Sequence, residues 1–131
     1  METRKKTLRQ LGWFLLVGLG ATAVHFCTVL VLVRAGLLAP VAANVVGWLV
    51  AFGASFLGHY HATFRGADAP PLRAALRFFM VSAMGFAVNQ AAYVALLRFS
   101  GLRYDVALAL VLGAVAAMTF VAGRVWAFAG R

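Results

Sequence analysis

His25, Asn44 and Asn89 are polar side chains set inside runs that are otherwise almost wholly apolar. Their chemistry is hydrogen bonding. An imidazole and two carboxamides can bond to one another or to the hydroxyls of a ligand. Residues for harder chemistry are missing. Glu2, Asp68 and Asp105 are the only carboxylates, and all lie at a terminus or between apolar runs. Acid–base catalysis by paired carboxylates inside the runs therefore has no residues to carry it. His59 and His61 stand two apart, so on a helix they diverge by about 200° and cannot share a metal from one face. The chain has no G-x-x-x-x-G-K-[ST] loop and no G-x-S-x-G elbow. The residues predict a protein that binds rather than catalyses, with no metal and no cofactor.

The elements that hold these residues are set by hydropathy. Apolar residues make up 64% of the 131-residue chain and charged residues 11%, more apolar surface than a soluble core of this size can hide. Four runs stand out: Leu11–Val33, Val41–Leu57, Phe78–Leu97 and Val106–Gly123. With flanking residues they predict spans at about 11–33, 41–62, 77–98 and 105–126 in a single domain covering 1–131. Helices are the expected form, because a spanning segment must satisfy its own backbone and the runs do not alternate as barrel strands do. The first run is too long for the apolar part of a signal peptide and no early A-x-A site ends it, so it reads as a retained span. Cys27 reads as a small packing residue.

Charge orients the bundle. Arg4, Lys5, Lys6, Arg9, Arg65, Arg73, Arg77, Arg124 and Arg131 fall on one side, against Arg34, Arg98 and Arg103 on the other. The positive-inside rule places both termini and the central loop in the cytoplasm. Because the positive charge flanks spans, anionic lipid or a phosphate head group is the expected partner rather than nucleic acid. Trp13 and Trp126 sit where an interfacial aromatic belt forms, with Tyr60, Phe64 and Phe128 beside them. The stretch "ADAPPLRAALRFF" (67–79) reads as a cytoplasmic loop followed by a short amphipathic helix, with Arg73 and Arg77 one turn apart.

The chain also repeats. With residue i laid on i+64, "LRQLGWFLLVGLGATAVHF" (8–26) falls on "LRAALRFFMVSAMGFAVNQ" (72–90). Arg34 falls on Arg98, and "SFLGHYHATF" (55–64) on "TFVAGRVWAF" (119–128). The fold predicted is an all-α integral membrane protein: four transmembrane helices as two helical hairpins in a parallel repeat. In this register His25 falls on Asn89, which points to a shared polar feature facing the interior. Small residues at helical spacing, Gly47, Ala51 and Ser55 with Ala54 and Gly58, and Gly113 with Ala117, read as helix-packing stripes.

Four motifs in order resemble the GtrA-like family of small four-span membrane proteins, over about residues 8–128. They are "FLLVGLGATAVHF", on Phe14, Val17, Gly18, Thr22, His25 and Phe26; the stretch around Asn44 and Trp48 running into "SFLGHYHATF"; "RFFMVSAMGFAVN", on Arg77, Phe78 and Asn89; and "GRVWAF", on Arg124, Trp126 and Phe128. Three places depart from the pattern. Ala21 and Gly123 stand where the family usually has Asn, and His59-Tyr60-His61-Ala62-Thr63-Phe64 replaces an Asn-Arg-x-W/F-x-F ending.

The resemblance implies a flippase for polyprenyl-phosphate-linked sugar in the bacterial inner membrane, serving surface polysaccharide or envelope glycosylation. It implies no enzymatic activity. On that reading Arg73, Arg77 and Arg124 offer paired hydrogen bonds to the phosphate, and His25, Asn44, Trp48 and Asn89 line the sugar's way. The bland alternatives are positive-inside anchoring for the arginines and an interhelical hydrogen bond for His25, to Asn89 or Asn44. Arg34 and Arg98 either receive the phosphate on exit or snorkel to head groups. A second function is a membrane anchor that recruits a glycosyltransferase. A third, a small multidrug exporter, is disfavoured because no span holds a carboxylate to exchange protons. A narrow four-helix bundle makes a homodimer the expected assembly, with a monomer bearing a lateral groove as the alternative.

Overall fold

The computed structural model describes residues 2–58 and 71–129. These form four helices: α1 (Glu2–Arg34), α2 (Pro40–Gly58), α3 (Pro71–Phe99) and α4 (Tyr104–Ala129). Leu15–Arg34, Pro40–Gly58 and Phe79–Phe99 are each long and apolar enough to cross a membrane, and α4 contributes the shorter apolar stretch Tyr104–Met118. The protein is an all-helical, four-helix membrane protein. Large apolar side chains face outward on every helix, among them Leu16, Leu19, Val31, Leu57, Met80, Met84 and Leu110. In water this would be untenable, whereas in lipid it is ordinary.

Two helices begin before the spans read from the sequence. The basic segment before the first span is itself helical, as the first turns of α1. The short amphipathic helix expected before the third span is not separate: α3 runs unbroken from Pro71 to Phe99. His59, Tyr60, His61, Phe64, Arg65 and Asp68 lie outside the described residues.

The chain divides into two compact units, Met1–Met84 and Gly85–Arg131. In the first, α1 and α2 pack along each other. Its buried residues are His25, Val29, Ala43, Asn44, Gly47 and Ala51. Two glycines set the approach of α1 to α2. A Cβ on Gly47 would stand 2.8 Å from His25 Cδ2 and 2.9 Å from Val29 Cγ2, and one on Gly58 2.8 Å from Val17 Cγ1. With little hydrophobic drive between helices in lipid, such close backbone contact is what packing must supply. The turn after α1 is closed by Gly36 at φ 72°, with Leu37 N donating to Leu32 O at 3.0 Å and Gly36 N to Val33 O at 3.0 Å. This is the Schellman arrangement, which needs a residue without a Cβ penalty in the left-handed region.

Among the described residues of the second unit the buried ones are Asn89, Tyr93, Ala107, Leu108 and Val111. Each stands 64 positions after a buried residue of the first unit: His25, Val29, Ala43, Asn44 and Gly47. The repeat seen in the letters is thus also a repeat of burial. The turn here uses Gly101 at φ 71°. Tyr93 Oη donates to the Tyr104 carbonyl at 3.1 Å, tying the end of α3 to the start of α4. Arg103 and Asp105 form an ion pair at 2.9 Å beside the same turn.

Two packing expectations fail. A Cβ on Gly113 would meet nothing within 4 Å, and Ala117 is exposed, so this stripe makes no close approach among the described residues. Cys27 is exposed rather than packed. Hydropathy cannot set a helix's rotation when lipid and interior are both apolar.

Candidate functional site

α1 and α2 bring two of the expected site residues together. His25 Nε2–H donates to Asn44 Oδ1 at 2.6 Å, with both side chains buried. α1 carries His25 inward because Val17, His25 and Val29 share the face that meets Gly58 and Gly47. The hydroxyls of Thr22 and Thr28 bond back to the carbonyls of Gly18 at 2.8 Å and Val24 at 2.7 Å, so they bring no unsatisfied polar group into the span.

Trp48 follows Asn44 by one turn but turns toward α3. Its Nε1–H donates to Ser82 Oγ at 2.7 Å. Its ring lies 5.4 Å from Phe79, centroid to centroid, and Phe79 in turn meets Phe52 edge-on at 5.3 Å. Ser82, Phe79 and Phe52 carry no role in the sequence reading. The signal that finds Phe52 is the i+4 row Asn44, Trp48, Phe52 and Phe56 on α2, whereas spacing on α2 says nothing of Phe79 and Ser82 on α3.

Asn89 is buried in the second unit at the repeat position of His25. Among the described residues no buried side-chain nitrogen or oxygen lacks a partner, Asn89 included. Its neighbour in the repeat differs: where the first unit has Asn44, the second has Leu108.

The arginines stand elsewhere. Arg73 and Arg77 are exposed on the first turns of α3. On a regular helix Arg73 lies about 180° around from Ser82, and Arg77 about 140°. They share their face with Met80 and Met84, which are also exposed. The structure therefore separates Arg73 and Arg77 from Trp48, Ser82 and Phe79. Arg124 belongs to α4 by its backbone, and its side chain lies outside the described residues, as do those of Trp126 and Phe128. Arg34 and Arg98 occupy the last turns of α1 and α3 and are exposed there, where a cation complements the helix dipole.

Among the described residues no three His, Cys, Asp or Glu side chains gather to hold a metal. Long apolar helices with a few carboxamides and one imidazole turned inward define a multi-pass helical membrane protein.

The family model described as GtrA/DPMS, transmembrane domain, matches residues 13–128. The chain belongs to this family, which is generally linked to sugar–lipid translocation and known as a family of non-enzymatic translocators. No curated protein and no solved structure matches the chain.

Proposed function

We propose that this protein moves a polyprenyl-phosphate-linked sugar across the cytoplasmic membrane of a bacterium, for surface polysaccharide or envelope glycosylation. The observation that carries the reading is the buried His25–Asn44 pair, with Asn89 buried at the equivalent place of the repeat. Polar groups inside a span are costly and tend to mark a polar route. The lipid tail needs no route, since it can stay in the bilayer. Only phosphate and sugar must cross, and carboxamides with a neutral imidazole can exchange hydrogen bonds with sugar hydroxyls without introducing charge. Both termini lie in the cytoplasm on this reading. Arg73 and Arg77, exposed and outward, gather the lipid phosphate at the cytoplasmic surface before the head group enters. Arg124 joins them at that surface. Transport runs downhill when the sugar is consumed on the far side.

The test is reconstitution into liposomes carrying a labelled polyprenyl-phosphate hexose, with an impermeant reagent reporting leaflet access. Protein-dependent exposure, reduced by His25→Leu combined with Asn89→Leu, is the expected result. No exposure by the folded protein across several hexoses overturns the reading.

The exposed basic turns at the start of α1 and α3 favour one second reading, a membrane anchor that recruits a glycosyltransferase. It expects glycosylation to survive the His25/Asn89 double substitution. A homodimer is the proposed assembly for either.

A further inference from the structure

α2 carries one row at i+4 spacing: Asn44, Trp48, Phe52, Phe56. It rises over about 18 Å of helix, from the buried His25–Asn44 pair to the last turn of α2. Phe79 of α3 lies against two of its rings, 5.4 Å from Trp48 and 5.3 Å from Phe52, and Phe52 and Phe56 stack at 6.2 Å. Ser82 accepts the indole N–H of Trp48 at 2.7 Å. None of the four rings is fully buried, and Phe79 is 37% exposed.

The repeat supplies an internal control. The positions equivalent to Trp48, Phe52, Phe79 and Ser82 hold Leu112, Ala116, Leu15 and Gly18, and of the row's rings only Phe56 falls on another aromatic, Phe120. Five of the six buried positions of the first unit are buried in the second, whereas these side chains are not kept. Hairpin packing, which both units share, does not call for aromatic rings at Trp48, Phe52 and Phe79. The first unit has it for another reason.

We infer that this row is a sugar-binding rail: the hexose head group stacks on Phe56, Phe52, Phe79 and Trp48 in turn and is delivered to the His25–Asn44 pair. The inference deepens the proposed function and rests on it. A pyranose ring has one face made largely of C–H groups with slight positive charge. These meet the negative face of an aromatic ring favourably, and the contact has no directional bond to break at each step. Hydroxyls at the sugar's rim exchange bonds with the Ser82 hydroxyl, the Trp48 N–H and then the Asn44 carboxamide. Rings at one-turn intervals let the head group move without crossing bare hydrocarbon. Binding weak enough to leave each ring is what passage requires.

The experiment uses the full chain in nanodiscs and liposomes. Trp13→Phe with Trp126→Phe leaves Trp48 as the sole indole, since the chain has three tryptophans. The probes are a polyprenyl-phosphate hexose and the same polyprenyl phosphate without sugar. The expected result is a change in Trp48 fluorescence with the hexose lipid alone. Phe52→Leu with Phe79→Leu should then slow hexose-lipid translocation by about tenfold. Circular dichroism and thermal unfolding confirm that the double variant folds, and Phe99→Leu, at the last residue of α3, serves as the control. If the intact protein translocates the hexose lipid and the double variant does so equally fast, the rail is wrong and the proposed function stands. If the intact protein translocates nothing, the function fails. The fluorescence then decides the rail: a sugar-dependent change keeps a sugar-binding row in a non-transporting protein, and no change overturns both.

Discussion

His25 and Asn44, nineteen positions apart in the chain, meet across the α1–α2 interface with His25 Nε2 2.6 Å from Asn44 Oδ1. The contact exists because Gly47, one turn beyond Asn44, lets α1 come so close that even a methyl would strike the imidazole. A polar pair and a backbone approach are thus one device. In lipid the His25 ring has no water to fall back on, so it depends on the Asn44 carboxamide.

That dependence predicts unequal costs. Asn44→Leu leaves the His25 ring without this acceptor and should destabilise the protein by about 1–3 kcal/mol. His25→Leu combined with Asn44→Leu should cost less than the two single changes added, with a coupling of about 0.5–2 kcal/mol. Unfolding of the four proteins in detergent by a denaturing surfactant measures the cycle. Additive costs would show that the pair contributes nothing as a pair.

The glycines of α2 should sort by what a methyl would meet. At Gly47 one contact is the His25 carbonyl oxygen at 3.1 Å, part of the backbone and unable to turn aside. Gly47→Ala should cost about 1–3 kcal/mol. At Gly58 every close atom belongs to the Val17 side chain. Valine's χ1 is stiff but can still yield, so Gly58→Ala should cost less, on the order of 1 kcal/mol. At Gly53 nothing lies within 4 Å, and Gly53→Ala should be neutral or stabilising by up to about 1 kcal/mol. Thermal unfolding of the three variants ranks them, and an equal loss at Gly53 would refute the packing argument.

What the residues alone made legible follows the same physics. Length and hydropathy are enough to mark four helices, and the register of i on i+64 pointed to a shared polar feature at His25 and Asn89, each of which is buried within its own unit. The pairing of His25 with Asn44 was one of two alternatives named. Rotation was not legible. A soluble helix shows its inner face by polarity, but the spanning part of α3 is apolar on nearly all sides, so nothing in its letters says that the face of Ser82, rather than that of Arg73 and Arg77, meets α2. The outward Cys27 and the open face of Gly113 escaped for that reason. The turn glycines escaped for another. Gly36 and Gly101 stand one residue out of the repeat register, because α3 runs one residue further past its matched arginine than α1 does.

Those two turns should respond alike. Both glycines have φ near +70°, at 72° and 71°. Alanine there puts a Cβ against the following carbonyl and costs about 1–2 kcal/mol. Gly36→Ala and Gly101→Ala should each lower the midpoint of thermal unfolding by similar amounts. Asparagine, which tolerates the left-handed region better, should recover part of the loss at both. A loss at Gly36 that asparagine does not recover would point to a steric cause instead, although a Cβ there meets nothing within 4 Å.

The position of Arg73 and Arg77 separates surface gathering of lipid phosphate from contact inside the bundle. Both side chains are exposed, on the face of α3 that also presents Met80 and Met84. If they act at the membrane surface, the contribution is largely electrostatic, about 1 kcal/mol per arginine toward anionic lipid. Arg73→Ala with Arg77→Ala should then weaken binding of polyprenyl-phosphate hexose by roughly tenfold to thirtyfold, and added salt should shrink the difference. Lysine at both positions should restore most of the binding, since a surface contact needs charge more than the guanidinium fork. Translocation measured at saturating lipid should be nearly unchanged, because head-group entry uses other residues. A fall in the saturated rate that lysine does not rescue would place the arginines within the route itself, with paired hydrogen bonds to the phosphate, and would require α3 to turn its outward face inward during the cycle.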